Sequence, residues 1–266
     1  MPNTTALSLQ DVTICYGTAV AVDALCLDVR RGEIFGLLGP NGSGKSSILS
    51  AVAGTLTPSA GVIRVEGRCE RDDPLAYCRL IGLAPQELAF YEELSAEENL
   101  RFFGRLYGLN GRDLRRRVGE TLQFVRLTEQ ARRPARTYSG GMKRRLNLAC
   151  ALLHEPAVLL LDEPTVGLDL QSRDAIFGSL EALRRRGCAV VLATHHMQEA
   201  ERLCDRVGVL DRGRLAACGP LAELFAGLAH EDASPMWSDA AERAPRLERL
   251  FLGLTGRSVC AESQIL

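Results

Sequence analysis

Residues 39–46 read Gly39-Pro40-Asn41-Gly42-Ser43-Gly44-Lys45-Ser46, which fits the pattern G-x-x-x-x-G-K-[ST] of a phosphate-binding loop. Glycines let such a loop wrap closely around phosphates and point its backbone N–H groups inward. We predict a short strand before the loop, at 33–38, and a helix after it, at 44–53, whose positive end adds to the anion site. Lys45 is expected to reach the β- and γ-phosphates of a nucleotide, and Ser46 to offer its hydroxyl to Mg²⁺.

On both sides of this loop, short apolar segments alternate with helical ones. The segments at 158–161 and 188–193 are continuously apolar, as parallel strands buried on both faces are. Further strands are predicted at 7–14, 24–29, 61–66, 79–83, 207–210 and 215–218, and further helices at 95–125 with a break at 108–111, at 139–154, 170–186, 196–203 and 247–254. The alternation predicts an α/β fold with a largely parallel core sheet.

Composition excludes several classes of protein. The apolar runs, such as those at 157–161 and 188–193, are far shorter than the ~20 residues that cross a bilayer, and the first ten residues lack a signal-peptide pattern. A net charge of −1 gives no bias towards nucleic acid. The nine cysteines have no C-x-x-C spacing, which is typical of reduced thiols in a cytosol. We therefore expect a cytoplasmic protein that acts at a membrane only through a partner. A plain solvated face is predicted for the arginine clusters at 115–117 and 132–136 and the Lys-Arg-Arg cluster at 143–145, with a face towards membrane partners or lipid headgroups as the alternative.

Two adjacent carboxylates, Asp162 and Glu163, follow the apolar segment at 158–161. Ligands of parallel sheets bind at the carboxyl ends of the strands, and two acids there would repel each other without a cation. Asp162 is expected to hold Mg²⁺ through its waters, and Glu163 to orient and deprotonate an attacking water. A solvated acidic turn is the alternative, and a kinase or a GTPase would share these features.

A second candidate anion site begins at Ser139. Ser139 is a suitable N-cap, and Gly140 and Gly141 bare the N–H groups of the first helical turn. Since one γ-phosphate needs only one phosphate-binding loop, a second site makes sense if each nucleotide is clamped between two copies of the domain. Taken alone, the motif also fits an ordinary capped helix.

Together these motifs resemble the ABC ATPases. The stretch at 138–145 resembles the family's signature sequence and the stretch at 161–165 its Walker B motif, and the resemblance runs from about residue 7 to 224. Tyr138 stands where leucine is commoner in the family, and Ser47, which counts among the nucleotide-binding residues, where threonine is commoner. The resemblance implies a P-loop NTPase fold that binds ATP and Mg²⁺, with an antiparallel β subdomain beside the core sheet. It implies an ATPase domain at 1–228, a helical subdomain at about 87–155, and a linker with a short extension at 229–266.

The resemblance also assigns roles to single residues. Tyr16 is in the position of the aromatic residue that stacks on adenine, and Gln86 in that of the glutamine that touches Mg²⁺, water and the transmembrane partner. Asp169 lies in a loop that faces the other copy across the dimer. His195 matches the switch histidine that contacts the γ-phosphate, because the family pattern T-H-x-M-x-E-A-E then falls on 194–201. His196 is expected on the surface.

Residues 33–42 and the tail at 247–257 look like those of the exporter branch of this family, which handles drugs, lipids and polysaccharides. The resemblance implies an ATP-hydrolysing subunit that works as a head-to-tail homodimer, or paired with another ABC ATPase subunit. It would drive export through separate transmembrane permease subunits. The ATP-hydrolysing subunit itself would be cytoplasmic and lie peripherally on the inner face of the membrane, held there by the permease. Two alternatives stay open: a cytosolic ABC ATPase of translation or DNA repair, and a nucleotide-dependent scaffold without turnover.

Overall fold

The computed structural model describes residues 4–231 and 246–256, whose strands form two sheets. A three-stranded antiparallel sheet has the order β2-β1-β4 and contains β1 (Thr5–Tyr16), β2 (Ala19–Arg30) and β4 (Ala60–Val65). A six-stranded sheet has the order β5-β6-β7-β3-β8-β9 and contains β3 (Ile34–Leu38), β5 (Ile81–Ala84), β6 (Val158–Asp162), β7 (Ala189–Thr194), β8 (Arg206–Asp211) and β9 (Arg214–Pro220). All its strands pair in parallel except β9, which is antiparallel to β8. The predicted mainly parallel core and antiparallel β subdomain are confirmed.

The helices surround the core sheet and form a separate layer at one side. They are α1 (Lys45–Val52), α2 (Pro74–Cys78), α3 (Ala96–Leu106), α4 (Gly111–Phe124), α5 (Gly140–Leu152), α6 (Leu170–Arg185), α7 (Met197–Leu203), α8 (Leu221–Glu231) and α9 (Arg246–Thr255), with short 3-10 turns at Thr128–Gln130 and Ala135–Thr137. Helices α3, α4 and α5 pack around Leu100, Leu114 and Leu146, so the predicted helical subdomain is present. Within the described residues, no helix combines the length and the apolar character needed to span a bilayer.

The central strands are buried on both faces. In β6, Leu159 and Leu161 belong to one apolar cluster, shared with α6, α7 and α9, whereas Val158 and Leu160 belong to a second cluster shared with α1 and the antiparallel sheet. This two-residue alternation is that of a pleated strand. Parallel pairing places the ends of β3, β6 and β7 at one edge, with Leu38 beside Thr194 and Asp162 beside Ala193. The segments that follow these strands are therefore neighbours.

Two helices, α8 and α9, end the described part of the chain. Helix α8 was not predicted, and it runs into the start of the linker expected at 229–266. The remainder of that linker, 232–245, and the tail at 257–266 lie outside the described residues. Helix α9 falls where a helix was predicted, and Leu247, Leu250 and Phe251 bury its apolar face in the main core. Its Leu247 N–H donates to Glu201 Oε1 of α7 at 2.6 Å, which ties the last described helix to the one that follows β7.

The basic clusters do more than form a solvated face, so that prediction is wrong for three members. Arg117 is nearly buried and donates to the carbonyl of Leu153 at 3.1 Å. Arg145 donates to the carbonyls of Val125 and Arg126, at 3.1 and 2.9 Å, and so holds the end of α4 against α5. Arg144 contacts the loop after β5, as described below.

Candidate nucleotide-binding and active site

A cavity of about 300 Å³ opens at the carboxyl edge of the core sheet. It is lined by Tyr16, Ala21, Asn41, Gly42, Gly44, Lys45, Ser46, Ser47, Gln86, Asp162 and Glu163. Seven separate segments were predicted to supply nucleotide, metal or catalytic groups, and this cavity brings four of them together. They are the Tyr16 strand, the glycine-rich loop, the Gln86 loop and the acidic pair.

The glycine-rich loop has the backbone that its sequence predicts. Gly44 is the N-cap of α1 with φ of 107°, in the region that favours glycine, and a Cβ there would lie 2.8 Å from the carbonyl of Ala21. The side chain of Lys45 turns back into the loop, where Nζ donates to the carbonyls of Gly39 and Pro40 at 2.8 and 2.9 Å. The buried hydroxyl of Ser43 has no hydrogen-bond partner among the described residues. The loop thus holds a cation and an unpaired hydroxyl next to the cavity.

Burial lowers the pKa of Lys45, although the charges of Glu163 and Asp162 act in the opposite direction. A desolvated ammonium group is stabilised by an anion that binds close to it. A phosphate entering the cavity would supply that anion.

Asp162 and Ser46 fit a magnesium ion. The Asp162 carboxyl is hydrogen-bonded by the Ser46 side chain, but burial is the larger effect and raises the pKa of Asp162. Its Oδ1 is buried and has no hydrogen-bond partner in the part of the chain that the structure describes. A buried carboxylate oxygen without a partner is costly, and a hydroxyl with a carboxylate is the all-oxygen donor set that Mg²⁺ prefers. The residues present therefore suit this cation.

Glu163 is a buried carboxylate held by three donors from Thr194, the last residue of β7, and from His195, which follows it. Its Oε1 accepts from the backbone N–H of His195 at 3.0 Å and from His195 Nδ1 at 2.6 Å, and its Oε2 accepts from Thr194 Oγ1 at 3.2 Å. The backbone of Glu163 has φ of 46°, an uncommon conformation for a residue with a side chain, which turns the chain sharply at the strand end.

The environment of Glu163 sets its charge. Burial raises the pKa of this carboxyl, but the hydrogen bond and charge of His195, together with Lys45, outweigh it and hold the pKa below the ordinary value of 4.5. Glu163 is therefore ionised at neutral pH. It carries the lone pair that a base needs.

Tyr16 and Gln86 stand at the open side of the cavity. Tyr16 is half-exposed, and its hydroxyl shares a hydrogen bond of 3.2 Å with Ser47 Oγ. This leaves the ring face accessible to a planar ligand. Gln86 is exposed, and Arg144 of α5 donates to its backbone carbonyl.

Asn147 of α5 fixes the Gln86 loop, and the sequence analysis missed it. Its Oδ1 accepts from the N–H of Ala89 at 2.9 Å, and its Nδ2 donates to the carbonyl of Pro85 at 3.0 Å. The helical pattern places Asn147 and Arg144 away from the apolar stripe of α5, yet Asn147 is only 4% exposed. The one available signal was an asparagine between two leucines, since a buried amide must find partners.

The second predicted anion site lies outside the cavity. Ser139 is the N-cap of α5 and accepts from the N–H of Met142 at 3.3 Å, while Asp169 caps α6 by accepting from Ser172 N–H at 2.8 Å. The two helix starts abut, because a Cβ on Gly141 would lie 2.2 Å from Ser172 Oγ. Ser139, Gly140 and Asp169 are exposed and do not line the cavity. One chain therefore presents two separate candidate anion-binding surfaces.

His195 and His196 occupy different environments, as expected. His195 is bonded to Glu163, whereas His196 is exposed and its backbone N–H donates to Thr194 Oγ1 at 3.0 Å. The rings remain close, with centroids 4.1 Å apart.

Comparison with known proteins gives consistent matches. Residues 22–166 match the family model described as ABC transporter. The linearmycin resistance ATP-binding protein LnrL of Bacillus subtilis is 41% identical over 84% of this chain and 71% of its own length. The Nod factor export ATP-binding protein I of Ralstonia nicotianae is 39% identical over 96% of this chain and 78% of its own length. The daunorubicin resistance ATP-binding protein DrrA3 of Streptomyces coeruleorubidus is 38% identical over 98% of this chain and 82% of its own length.

Solved structures agree with the sequence relatives. The ATP-binding subunit of an ABC transporter superposes with a TM-score of 0.82 at 31% identity, covering 94% of this chain and 100% of that one. CbiO1 of Clostridium perfringens, part of the ABC transporter complex CbiONQ, superposes with a TM-score of 0.76 at 28% identity, covering 92% and 98% of the two chains.

Proposed function

The chain belongs to the ABC transporter family as an ATP-binding subunit, an ATPase that energises transport, and on that premise we propose that it hydrolyses ATP between two head-to-tail copies to drive export through a separate permease. The observation that carries the catalytic part is the ionised Glu163 beside Asp162 and Lys45 in one cavity. A base, a metal ligand and a phosphate-binding cation converge there, as phosphoryl transfer to water requires.

The residues of this chain divide the work. The ring of Tyr16 stacks on adenine, and Lys45 leaves its two loop carbonyls to bind the β- and γ-phosphates. Ser46 and Asp162 hold Mg²⁺, which supplies charge neutralisation on the phosphates when bound. Glu163 accepts the proton of the attacking water, and Gln86 orients that water and contacts the metal. His195 holds Glu163 through Nδ1, and we assign its ring the contact to the γ-phosphate.

The proposed dimer follows from the separation of the two anion-binding surfaces. Ser139, Gly140, Gly141 and Asp169 do not line the cavity of their own chain. Exposed N–H groups at a helix start attract an anion. We place the γ-phosphate of each nucleotide against these residues in the second copy, so that two copies enclose two nucleotides.

The permease is proposed to dock beside Gln86, which would put this subunit on the inner face of the membrane. Exposed apolar side chains lie in the segment that follows Gln86 in sequence and on α3: Tyr91 and Phe102 have ring centroids 5.1 Å apart, and Leu106 is 68% exposed on the same helix as Phe102. An exposed apolar patch of this kind marks a protein interface. Because Asn147 and Arg144 hold the Gln86 loop on α5, a movement of α5 would shift this loop and the Tyr91 segment that follows it.

Export, and the class of cargo, rest on the relatives. Those reported above are named for linearmycin resistance, Nod factor export and daunorubicin resistance. We propose a bulky organic cargo of the same range, a drug, a lipid or an oligosaccharide conjugate, moved out of the cytoplasm. ATP-driven uptake into the cytoplasm, measured with the protein and its permease in proteoliposomes, would overturn this direction.

Phosphate release by the wild-type protein in complex with its permease, compared with Glu163→Gln, tests the catalytic proposal. Glutamine retains the shape but not the basicity, so turnover should fall by about 10²–10⁴-fold, the usual contribution of a general base. Glu181→Gln, an exposed change on α6, is the matched control and should leave the rate unchanged. Normal turnover in Glu163→Gln would remove the assignment of the base, and a wild-type complex without turnover would favour a scaffold.

A further inference from the structure

The proposed reaction uses His195 but leaves His196 without a role. The two rings are 4.1 Å apart and tilted by 37°, next to Glu163. One ligand atom from each of Glu163, His195 and His196 lies within 4.8 Å of the other two. Two imidazoles and a carboxylate so arranged are the donor set of a zinc site with an open fourth position.

We propose that Glu163, His195 and His196 form a site for a divalent transition-metal ion of the zinc type, separate from the magnesium site of Ser46 and Asp162. Imidazole nitrogen suits zinc, whereas magnesium prefers an all-oxygen set. Because magnesium prefers oxygen ligands, we expect it at Ser46 and Asp162. The two ions are thus sorted by ligand chemistry within one cavity region.

Between Glu163 and His195, metal binding needs only a small rearrangement. Zinc ligands lie about 2.0–2.2 Å from the metal, so neighbouring ligand atoms in a tetrahedron are roughly 3.3 Å apart. Glu163 Oε1 and His195 Nδ1 are 2.6 Å apart and share a proton. The metal takes the place of this proton: Nδ1 gives its proton to solvent, Nε2 carries the N–H of the neutral ring, and Glu163 Oε1 and His195 Nδ1 move apart by about 0.7 Å.

The hydroxyl of Thr194 holds two of the three ligating residues in place. Thr194 Oγ1 donates to Glu163 Oε2 at 3.2 Å and accepts from the backbone N–H of His196 at 3.0 Å, so one hydroxyl orients two of the three ligating residues. Such outer contacts commonly fix metal ligands. His196 is exposed and provides the entry path for the ion, and water fills the fourth position.

Metal binding would block hydrolysis, and this consequence, unlike the binding itself, rests on the proposed function. The ion takes the lone pair with which Glu163 would accept a proton. It also pins His195 away from the γ-phosphate. Zinc would therefore inhibit the ATPase by occupying Glu163, while the phosphate-binding loop stays intact.

Binding is tested first, without nucleotide. Zn²⁺ is titrated into the purified protein against a competing chromophoric chelator, and one ion should bind per chain. His196→Gln should weaken this binding at least about tenfold, as losing a contact to a metal site typically does. His230→Gln, which removes the histidine in the last turns of α8, is the matched control and should bind like the wild type. Equal affinity of the wild type and His196→Gln overturns the site.

Thiols are excluded with Co²⁺ as a spectroscopic probe. Cys26 and Cys78 are exposed and could take up zinc themselves. The Co²⁺ form of the proposed site should show no thiolate-to-metal charge-transfer absorption, and its spectrum should be lost in His196→Gln. A strong charge-transfer band that persists in the variant overturns the assignment.

Turnover is tested second, at saturating ATP and Mg²⁺ with buffered free Zn²⁺. Wild-type phosphate release should fall as the site fills, and His196→Gln should need at least about ten times more free zinc for the same inhibition. The zinc-free rates of the two proteins should be equal. Tight zinc binding without inhibition of phosphate release would overturn the proposed inhibition. If the wild type has no turnover even without zinc, the proposed ATPase function is wrong, but the zinc-binding result is unaffected because it is measured separately.

Discussion

Asn147→Ala tests whether helix α5 holds the Gln86 loop in its active position. The substitution removes two hydrogen bonds, from Ala89 N–H at 2.9 Å and to the carbonyl of Pro85 at 3.0 Å. Each buried partner left without a bond costs about 1–3 kcal/mol. Ala89 is exposed and Pro85 half-buried, so water can replace part of the loss, and we expect a total near the lower end, about 2–3 kcal/mol.

The expected effect on turnover is larger than the loss of stability alone would give. Releasing the loop displaces Gln86 from the attacking water, and a misplacement of about 1 Å can cost around 10²-fold in rate. We expect phosphate release to fall by about 10–100-fold. The assays are urea unfolding for the free energy and phosphate release at a temperature where the variant is folded.

Asn99→Ala is the matched control for this experiment. Asn99 is fully buried and accepts from Tyr91 N–H at 2.8 Å while donating to the carbonyls of Tyr91 and Ser95 at 2.9 and 3.0 Å, but it does not line the nucleotide cavity. It should lose as much stability as Asn147→Ala and keep a rate within about twofold of wild type in the protein without its permease. An equal loss of turnover in both variants, or a normal rate in Asn147→Ala, refutes the reasoning.

Three further substitutions address other parts of the account. Lys45→Ala removes charge-assisted hydrogen bonds to phosphate worth about 1.5–3 kcal/mol, so ATP affinity measured by calorimetry should fall roughly 10–100-fold, whereas Lys143→Ala, the other lysine, should leave it unchanged. Gly141→Ala places a Cβ 2.2 Å from the hydroxyl of Ser172 at the start of α6, and the free energy of unfolding in urea should fall by about 1–3 kcal/mol. Gly140→Ala is the control, because its Cβ would have no atom within 4 Å. Equal stability of the two variants would contradict the close packing of α5 on α6. Burial lowers the pKa of His154 to about 4 from 6.5, so the unfolded chain binds a proton that the folded chain refuses. This histidine should therefore remove about 3 kcal/mol of stability as pH falls from 6.5 to 4, and His154→Gln should make the measured pH dependence shallower by that amount.

The fold was predictable because its signals are local. Strands β3, β6 and β7 are buried along their whole length, and such strands must be apolar throughout, which the sequence displays. The helix after the glycine-rich loop and the break between α3 and α4 are marked by glycines. Helix α2 lacks an apolar period over its five residues and was not predicted; its start is set by Asp73, whose side chain accepts from Ala76 N–H at 3.0 Å.

The candidate site was predictable where its residues sit in contiguous motifs, and not where distant segments meet. The glycine-rich loop follows β3, Asp162 ends β6 and Glu163 comes directly after it, and parallel pairing brings these strand ends together. Asn147 and Arg144 contact residues 58–62 positions away, and nothing in the local pattern of α5 indicates which loop they would hold. The hydrogen bond between Glu163 and His195 likewise depends on the register of β6 against β7.

The most direct test of the central claim is a crystal structure of Glu163→Gln with ATP and Mg²⁺. Two copies should enclose two nucleotides, with each γ-phosphate in contact with Lys45 of one copy and with Ser139 of the other. A single subunit around one nucleotide, or a pair whose Ser139 helices face away from the triphosphates, would contradict it.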